Sequence, residues 1–281
     1  MKRIAIAKDT VKILEAGYYC SPDGKQVDIV QEVASCLKQT KCYEPDTLSA
    51  IQQNILSGKP QYSTIEFAVR NETTLMGAER LAQSQQFQKI GVLNFASAKN
   101  PGGGFLKGAQ AQEESLARSS ALYKSLLQCP EYYDFHRSHK SLLYSDRMIY
   151  SPGCPIIRRD DGTLLEKPFL VDFFTSPAPN AGAIWRNQPQ EREKIVEVLY
   201  SRGAKLLSLA TYYGCDALVL GAWGCGVFRN EPSIVAQMFG DLLLPQGQFA
   251  GRFKKVLFSV LDSTKQERTF REFQNRFIKD T

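Results

Sequence analysis

The chain is poor in histidine, lacks paired-cysteine spacing and has no long apolar run. Its only histidines are His136 and His139. On a helix that i, i+3 spacing puts both rings on one face, where they can share a metal. No third ligand accompanies them, so both are expected at the surface and metal-binding residues are not expected. The scarcity also disfavours Ser-His-Asp and Cys-His chemistry. Seven cysteines stand at 20, 36, 42, 129, 154, 215 and 225. The odd number without CxxC spacing argues against a disulfide framework or a zinc ribbon. Reduced cysteines of a cytoplasmic protein, or a nuclear one in a nucleated host, are expected instead. No window of about 20 apolar residues exists, which excludes a membrane-spanning helix. The apolar run behind MKRIAIAKDT is too short for a secretory leader. The motif GxxxxGK[ST] is absent, and the run from Gly102 to Lys107 lacks the final glycine of GxGxxG. Neither common nucleotide fingerprint is therefore supported.

What is present describes an ordinary globular protein. With 281 residues, 43% hydrophobic and 23% charged, the chain can build one large core, with or without an extension. A net charge of +6 mildly favours an anionic partner. Apolar residues recur at helical spacing over residues 27–37 and 48–56, so the first 60 residues read as mostly helical. From residue 64 strands alternate with helices. Strands are expected at 64–69, 90–95, 148–151, 169–175, 217–222 and 256–261. Helices are expected at 110–128, 192–212 and 266–277, the first with Leu116, Ala117, Leu122, Leu126 and Leu127 on its core face. This alternation predicts an α/β fold with a largely parallel central sheet.

Two glycine-rich loops each follow a hydrophobic strand. The first spans residues 100–108 and includes Gly102, Gly103 and Gly104, three consecutive glycines that admit a ligand close to the backbone. The second reads GAWGCGVF at 221–228 and precedes RNEP and a helical run. Ligands of open α/β sheets bind beyond the carboxyl ends of strands, so both loops can converge on one crevice. The second loop suits a diphosphate, through its N–H groups and a following helix N-terminus. Trp223 and Phe228 can cover a ribose or base; equally, the segment can be a tight turn with core aromatics. Glu113 and Glu114 open the helix that follows the first loop. Acidic residues there usually complement the helix dipole. Successive helical residues point about 100° apart, so one carboxylate can bind while the other does chemistry.

Gly102-Gly103-Gly104 and Gln112-Glu113-Glu114, with seven residues between, resemble the signature of poly(ADP-ribose) glycohydrolases. IAKDT, VRNETTLMGAERL, VLNFASAKNPGGGF, SPAPNAG and LVLGAWGCGVFRNEP are similar to the microbial-type branch, so the resemblance spans nearly the whole chain. It implies a macrodomain-like three-layer α/β/α fold with a mixed central sheet. An N-terminal helical extension over 1–62 would pack on a catalytic domain over 63–281. The implied activity is exo-type hydrolysis of ribose–ribose O-glycosidic bonds in poly(ADP-ribose), releasing ADP-ribose without a cofactor, by a monomer. Hydrolysis of mono-ADP-ribose on protein or nucleic acid and non-catalytic ADP-ribose reading are the alternatives. Glu114 takes the family's catalytic position and Glu113 the adjacent ribose-contacting one. Gly102, Gly103, Gly104 and Gln112 map to the catalytic loop and its signature. Gly224, Cys225, Gly226, Val227 and Phe228 map to the diphosphate loop, with Phe228 against the terminal ribose, and Asn100 maps to a contact with that ribose. For the adenine the candidates are residues 176–182 with Phe173 and Phe174.

Overall fold

The computed structural model describes residues 2–278. The chain opens with helix α1 (Lys2–Ala16), a small hairpin of β1 (Tyr18–Cys20) and β2 (Gln26–Asp28), α2 (Val30–Gln39), β3 (Lys41–Tyr43) and α3 (Pro45–Ser57). It continues with β4 (Glu66–Arg70), α4 (Thr74–Ser84), β5 (Ile90–Phe95), a short 3-10 turn at Phe105–Lys107, α5 (Gln112–Ser119), α6 (Leu122–Leu126) and α7 (Pro130–Ser138). A long hairpin of β6 (Met148–Arg158) and β7 (Leu164–Ser176) leads to α8 (Ala181–Asn187), α9 (Lys194–Tyr212), β8 (Ala217–Leu220), α10 (Pro232–Leu243), β9 (Lys255–Ser259) and α11 (Arg268–Phe277).

Seven strands form one sheet in the order β3-β6-β7-β5-β8-β9-β4. From β7 to β4 all neighbours run parallel, whereas β6 is antiparallel to both β7 and β3. β5 and β8 are nearly continuous apolar runs because helices cover both faces of the parallel block. One face carries α3, α9, α10 and α11 through residues such as Leu48, Leu207, Phe239 and Phe273. The other carries α2, α4, α6 and α7 through Val33, Leu81, Leu126 and Tyr132. The expected three-layer arrangement around a mixed sheet is present. Among the described residues no helix is long and apolar enough to cross a membrane.

Some local expectations need correction. The single helix over 110–128 is two helices, α5 and α6, with Ser120 bridging to Ile156 of β6 between them. Leu127 is exposed rather than core. The strand expected at 148–151 extends to Arg158, and the N-terminal section contributes β3 to the sheet edge. His136 is fully buried: its Nδ1 lies 2.8 Å from the Tyr132 carbonyl oxygen and its Nε2 2.9 Å from Ser145 Oγ. Burial pushes its pKa down to about 4, so it serves as a neutral core group.

Candidate active site

The parallel strands end at a common edge. Phe95 of β5 lies opposite Ser176 of β7, Leu220 of β8 opposite Phe258, and Ser259 of β9 opposite Arg70. A cleft of about 990 Å³ opens there, lined by both glycine loops and by the start of α5.

The first loop turns back on itself through a Gly103 N–H to Asn100 carbonyl bond of 2.9 Å. Gly102 and Gly103 adopt φ of 67° and 58°, left-handed values that side-chain-bearing residues avoid. Gly103 is also needed for space, because a Cβ there would sit 2.3 Å from Glu114 Oε1. Gly104 donates its N–H to that same oxygen at 3.0 Å. Behind the loop, buried Phe105 packs on Ala7 of α1 and Ala117 of α5. Asn100 is exposed on the cleft rim.

The first turn of α5 is fastened to β5. Gln112 Oε1 accepts the Phe95 N–H at 2.9 Å, while its Nε2 donates to Leu93 O at 2.7 Å and Thr74 Oγ1 at 3.2 Å. The protein thus occupies both amide donors of Gln112, which positions its two carboxylate neighbours. Glu113 is only 2% exposed. Its oxygens accept from the Ser97 N–H at 2.7 Å and from Asn94 Nδ2 at 3.2 Å. Desolvation outweighs these bonds and, with a smaller push from the Glu114 charge, raises its pKa to about 8. Glu114 is half-buried and keeps Oε2 without a hydrogen-bond partner among the described residues.

The second loop is held by buried Asn230. Its Nδ2 donates to Pro179 O at 2.8 Å and to Gly224 O at 3.1 Å. Gly224 has φ 73°, and a Cβ there would meet Ala178 at 2.4 Å. The N–H groups of Gly224, Gly226, Val227 and Phe228 have no hydrogen-bond partner among the described residues. Val227 is 77% exposed at the loop tip, beside Cys225 and half-buried Phe228, all three on the cleft wall. The Phe228 ring packs on Tyr144 at 5.9 Å.

Several expected contacts lie elsewhere. Trp223 is fully buried and donates Nε1–H to Ser176 O at 3.0 Å, so it braces the loop rather than covering a ribose. Phe173 and Phe174 are buried in β7 on opposite faces of the sheet and belong to the two cores, not to an adenine pocket. Of residues 176–182, Ala178 lines the cleft. Sequence reading missed Glu72 and Asp160. Glu72 is 5% exposed at the end of β4, reaches the cleft wall and is paired with Arg80. In sequence it lies within VRNETT, where nothing local marks an acid as part of a cleft wall. Asp160 accepts from Ser115 Oγ at 2.9 Å and Thr73 Oγ1 at 2.5 Å, joining the β6–β7 turn to the site. In sequence it reads only as part of a turn, RRDDGT.

Comparison with known proteins agrees with this geometry. A family model described as the catalytic domain of microbial-type PARG matches residues 7–159. A solved poly(ADP-ribose) glycohydrolase from Thermomonospora curvata, bound to the inhibitor ADP-HPD, is 47% identical. It covers 98% of this chain and 99% of its own, with a TM-score of 0.91. The Deinococcus radiodurans enzyme in complex with ADP-ribose is 40% identical, over 87% of this chain and 96% of that one, with a TM-score of 0.81. No curated protein matches. The chain belongs to the microbial-type poly(ADP-ribose) glycohydrolase family.

Proposed function

We propose that this chain hydrolyses the ribose–ribose O-glycosidic bonds of poly(ADP-ribose) from the chain end, on a macrodomain-type core, and releases ADP-ribose. Glu114 is the catalytic residue. The observation that carries this assignment is the free carboxyl oxygen. Both oxygens of Glu113 are engaged by protein, whereas Glu114 is anchored through Oε1 alone and presents Oε2 to the cleft. The bond is an acetal, and its cleavage passes through an oxocarbenium-like state. Protonated Glu114 donates to the departing ribose 2′ oxygen as the anomeric C–O bond breaks. The resulting carboxylate then takes a proton from water, whose oxygen attacks the anomeric carbon. The Gly104 N–H holds the carboxyl in place through both steps.

Glu113 is the ribose-side neighbour, held rigid by Ser97 and Asn94. The four unpartnered N–H groups of residues 224–228 support a diphosphate subsite, because they offer donors at no reorganisation cost. Phe228 then covers the terminal ribose, and Asn100 meets it from the rim. Exo action is supported by the segment after β9, where Leu261 and Thr269 add a further wall to the cleft. Asp262 fixes that segment by accepting from the N–H groups of Thr264 and Thr269. The seven unpaired cysteines support a cytoplasmic setting.

The test is incubation of wild type and Glu114→Gln with labelled poly(ADP-ribose) and, separately, with mono-ADP-ribosylated protein. Wild type should release free ADP-ribose from polymer while long chains persist early in the reaction. Glu114→Gln should be slower by about 10²–10⁴-fold, with ADP-ribose affinity within a few-fold of wild type. Full turnover in that variant would move the chemistry elsewhere. Release from the monomodified protein alone would make the chain a mono-ADP-ribosyl hydrolase, and binding without turnover would make it a reader.

A further inference from the structure

Arg118 is a buried cation with almost nothing to hold. It is 6% exposed and lies one helical turn after Glu114 on the same face of α5. Of its five N–H donors, one is used, Nη1 to Ala109 O at 2.7 Å. Among the described residues no carboxylate reaches ion-pair distance of it. A cation this shielded is costly to leave unpaired, and an anion would compensate it. The charges that act on Arg118 are Glu114 and Asp160, which attract, and Arg3, which repels.

Arg3 is itself misplaced by ordinary helix electrostatics. It sits with Lys2 in the first turn of α1, where the macrodipole disfavours cations, and that turn carries no acidic residue. Ile4, next to it, is the side chain that a Cβ on Gly108 would meet at 3.0 Å. Lys107 directly precedes Gly108, is exposed and lines the cleft. Neither Arg3 nor Lys107 has a carboxylate partner among the described residues. Two acids face the group from the β6–β7 turn. Asp160 already accepts from Thr73 and Ser115, and Asp161 accepts from the Thr163 N–H. Of these three cations Lys107 lines the cleft, and Arg118 and Arg3 lie on its α1 side without lining it, none of them with a carboxylate partner among the described residues. This side rests on Phe105, Ala7 and Ala117, a packing cluster separate from the one under Phe228.

We propose that Arg118, Arg3 and Lys107 form an anion subsite beyond Glu114, which receives the diphosphate of the penultimate ADP-ribose unit. The inference rests on the hydrolase reading above. The terminal unit spends its own diphosphate on residues 224–228. The bond to be broken lies at Glu114, so the group leaving across Glu114 is the adenosine of the next unit, and that adenosine carries a second diphosphate. A cationic flank there distinguishes polymer from a mono-ADP-ribosylated acceptor, whose leaving group has no diphosphate.

The test is the double variant Arg3→Gln/Lys107→Gln, made on exposed side chains so that folding is retained. Its kcat/KM on poly(ADP-ribose) should fall about five- to tenfold, with a flatter salt dependence. Its affinity for ADP-ribose should stay within about twofold of wild type, because that ligand fills the terminal subsite alone. The same pair is then placed in Glu114→Gln and titrated with an ADP-ribose dimer and with ADP-ribose. Dimer affinity should fall by a similar factor while ADP-ribose affinity holds. Unchanged dimer affinity would overturn the subsite, and so would an equal loss for dimer and monomer. A wild type that leaves polymer intact would instead overturn the hydrolase reading, and the dimer titration still decides the subsite.

Discussion

Glu113 and Glu114 are neighbours in sequence with opposite surroundings. Helical geometry turns one side chain under β5 and the other toward the cleft. That division was legible as a possibility from the QEE spacing; which carboxyl is buried depends on Asn94 and Ser97, which arrive from a strand and a loop. Its consequence is a pH dependence of stability. In the unfolded chain Glu113 loses its proton near 4.5, and in the fold near 8. Between those values the folded state holds a proton that the unfolded state has released, so stability falls as pH rises through the window. The contribution is fully present below about pH 4.5 and gone above about pH 8. Glu113→Gln removes it and keeps the shape. The Asn94 Oδ1, which has no partner now, can accept from the new amide after a flip. Relative to wild type, the variant should gain on the order of 2–4 kcal/mol between about pH 5 and pH 9 in denaturant unfolding. Parallel stability curves would show that Glu113 titrates as an ordinary carboxyl.

At the scale of elements, the first glycine loop and α5 are braced from outside the sheet. Buried Thr10 of α1 donates to Arg118 O at 2.6 Å and accepts from Arg158 Nε at 3.0 Å, so one hydroxyl ties α1, α5 and β6 together. Thr10→Val keeps the volume and strands a buried carbonyl and a buried guanidinium N–H. We expect a loss of about 1–3 kcal/mol in denaturant unfolding, with ADP-ribose affinity nearly unchanged. A variant as stable as wild type would leave the bracing to Ala7 and Phe105 alone. The strong elements here were readable from periodicity: β5, β8 and α9 are long enough and apolar enough to announce themselves. The break between α5 and α6 was not. Ser120 ends α5 because its Oγ accepts the Leu122 N–H while its backbone bridges to Ile156, a partner 36 positions away. Likewise β3 is only three residues long and exists because β6 offers it an edge.

For the whole molecule, strand alternation announced the parallel block and the two loops beyond its ends, since both are local patterns repeated along the chain. The antiparallel β6 and the burial of His136, Trp223, Phe173 and Phe174 follow from packing, which composition does not encode. The cysteines give a check on that packing. All seven are unpaired, and only Cys20 is exposed. Cys42 and Cys225 are partly shielded, and burial pushes both thiols up, Cys42 to about 12. Reaction with a disulfide reagent needs the thiolate and an approach path, so neither should compete with Cys20 near neutral pH. Cys129, Cys154 and Cys215 are buried and likewise pushed up. Cys36 is shielded between α2 and the sheet. A native titration should therefore show one fast thiol, lost in Cys20→Ser, and seven after denaturation. Several fast thiols in the native protein would mean that the helical layers open far more readily than their buried apolar contacts allow.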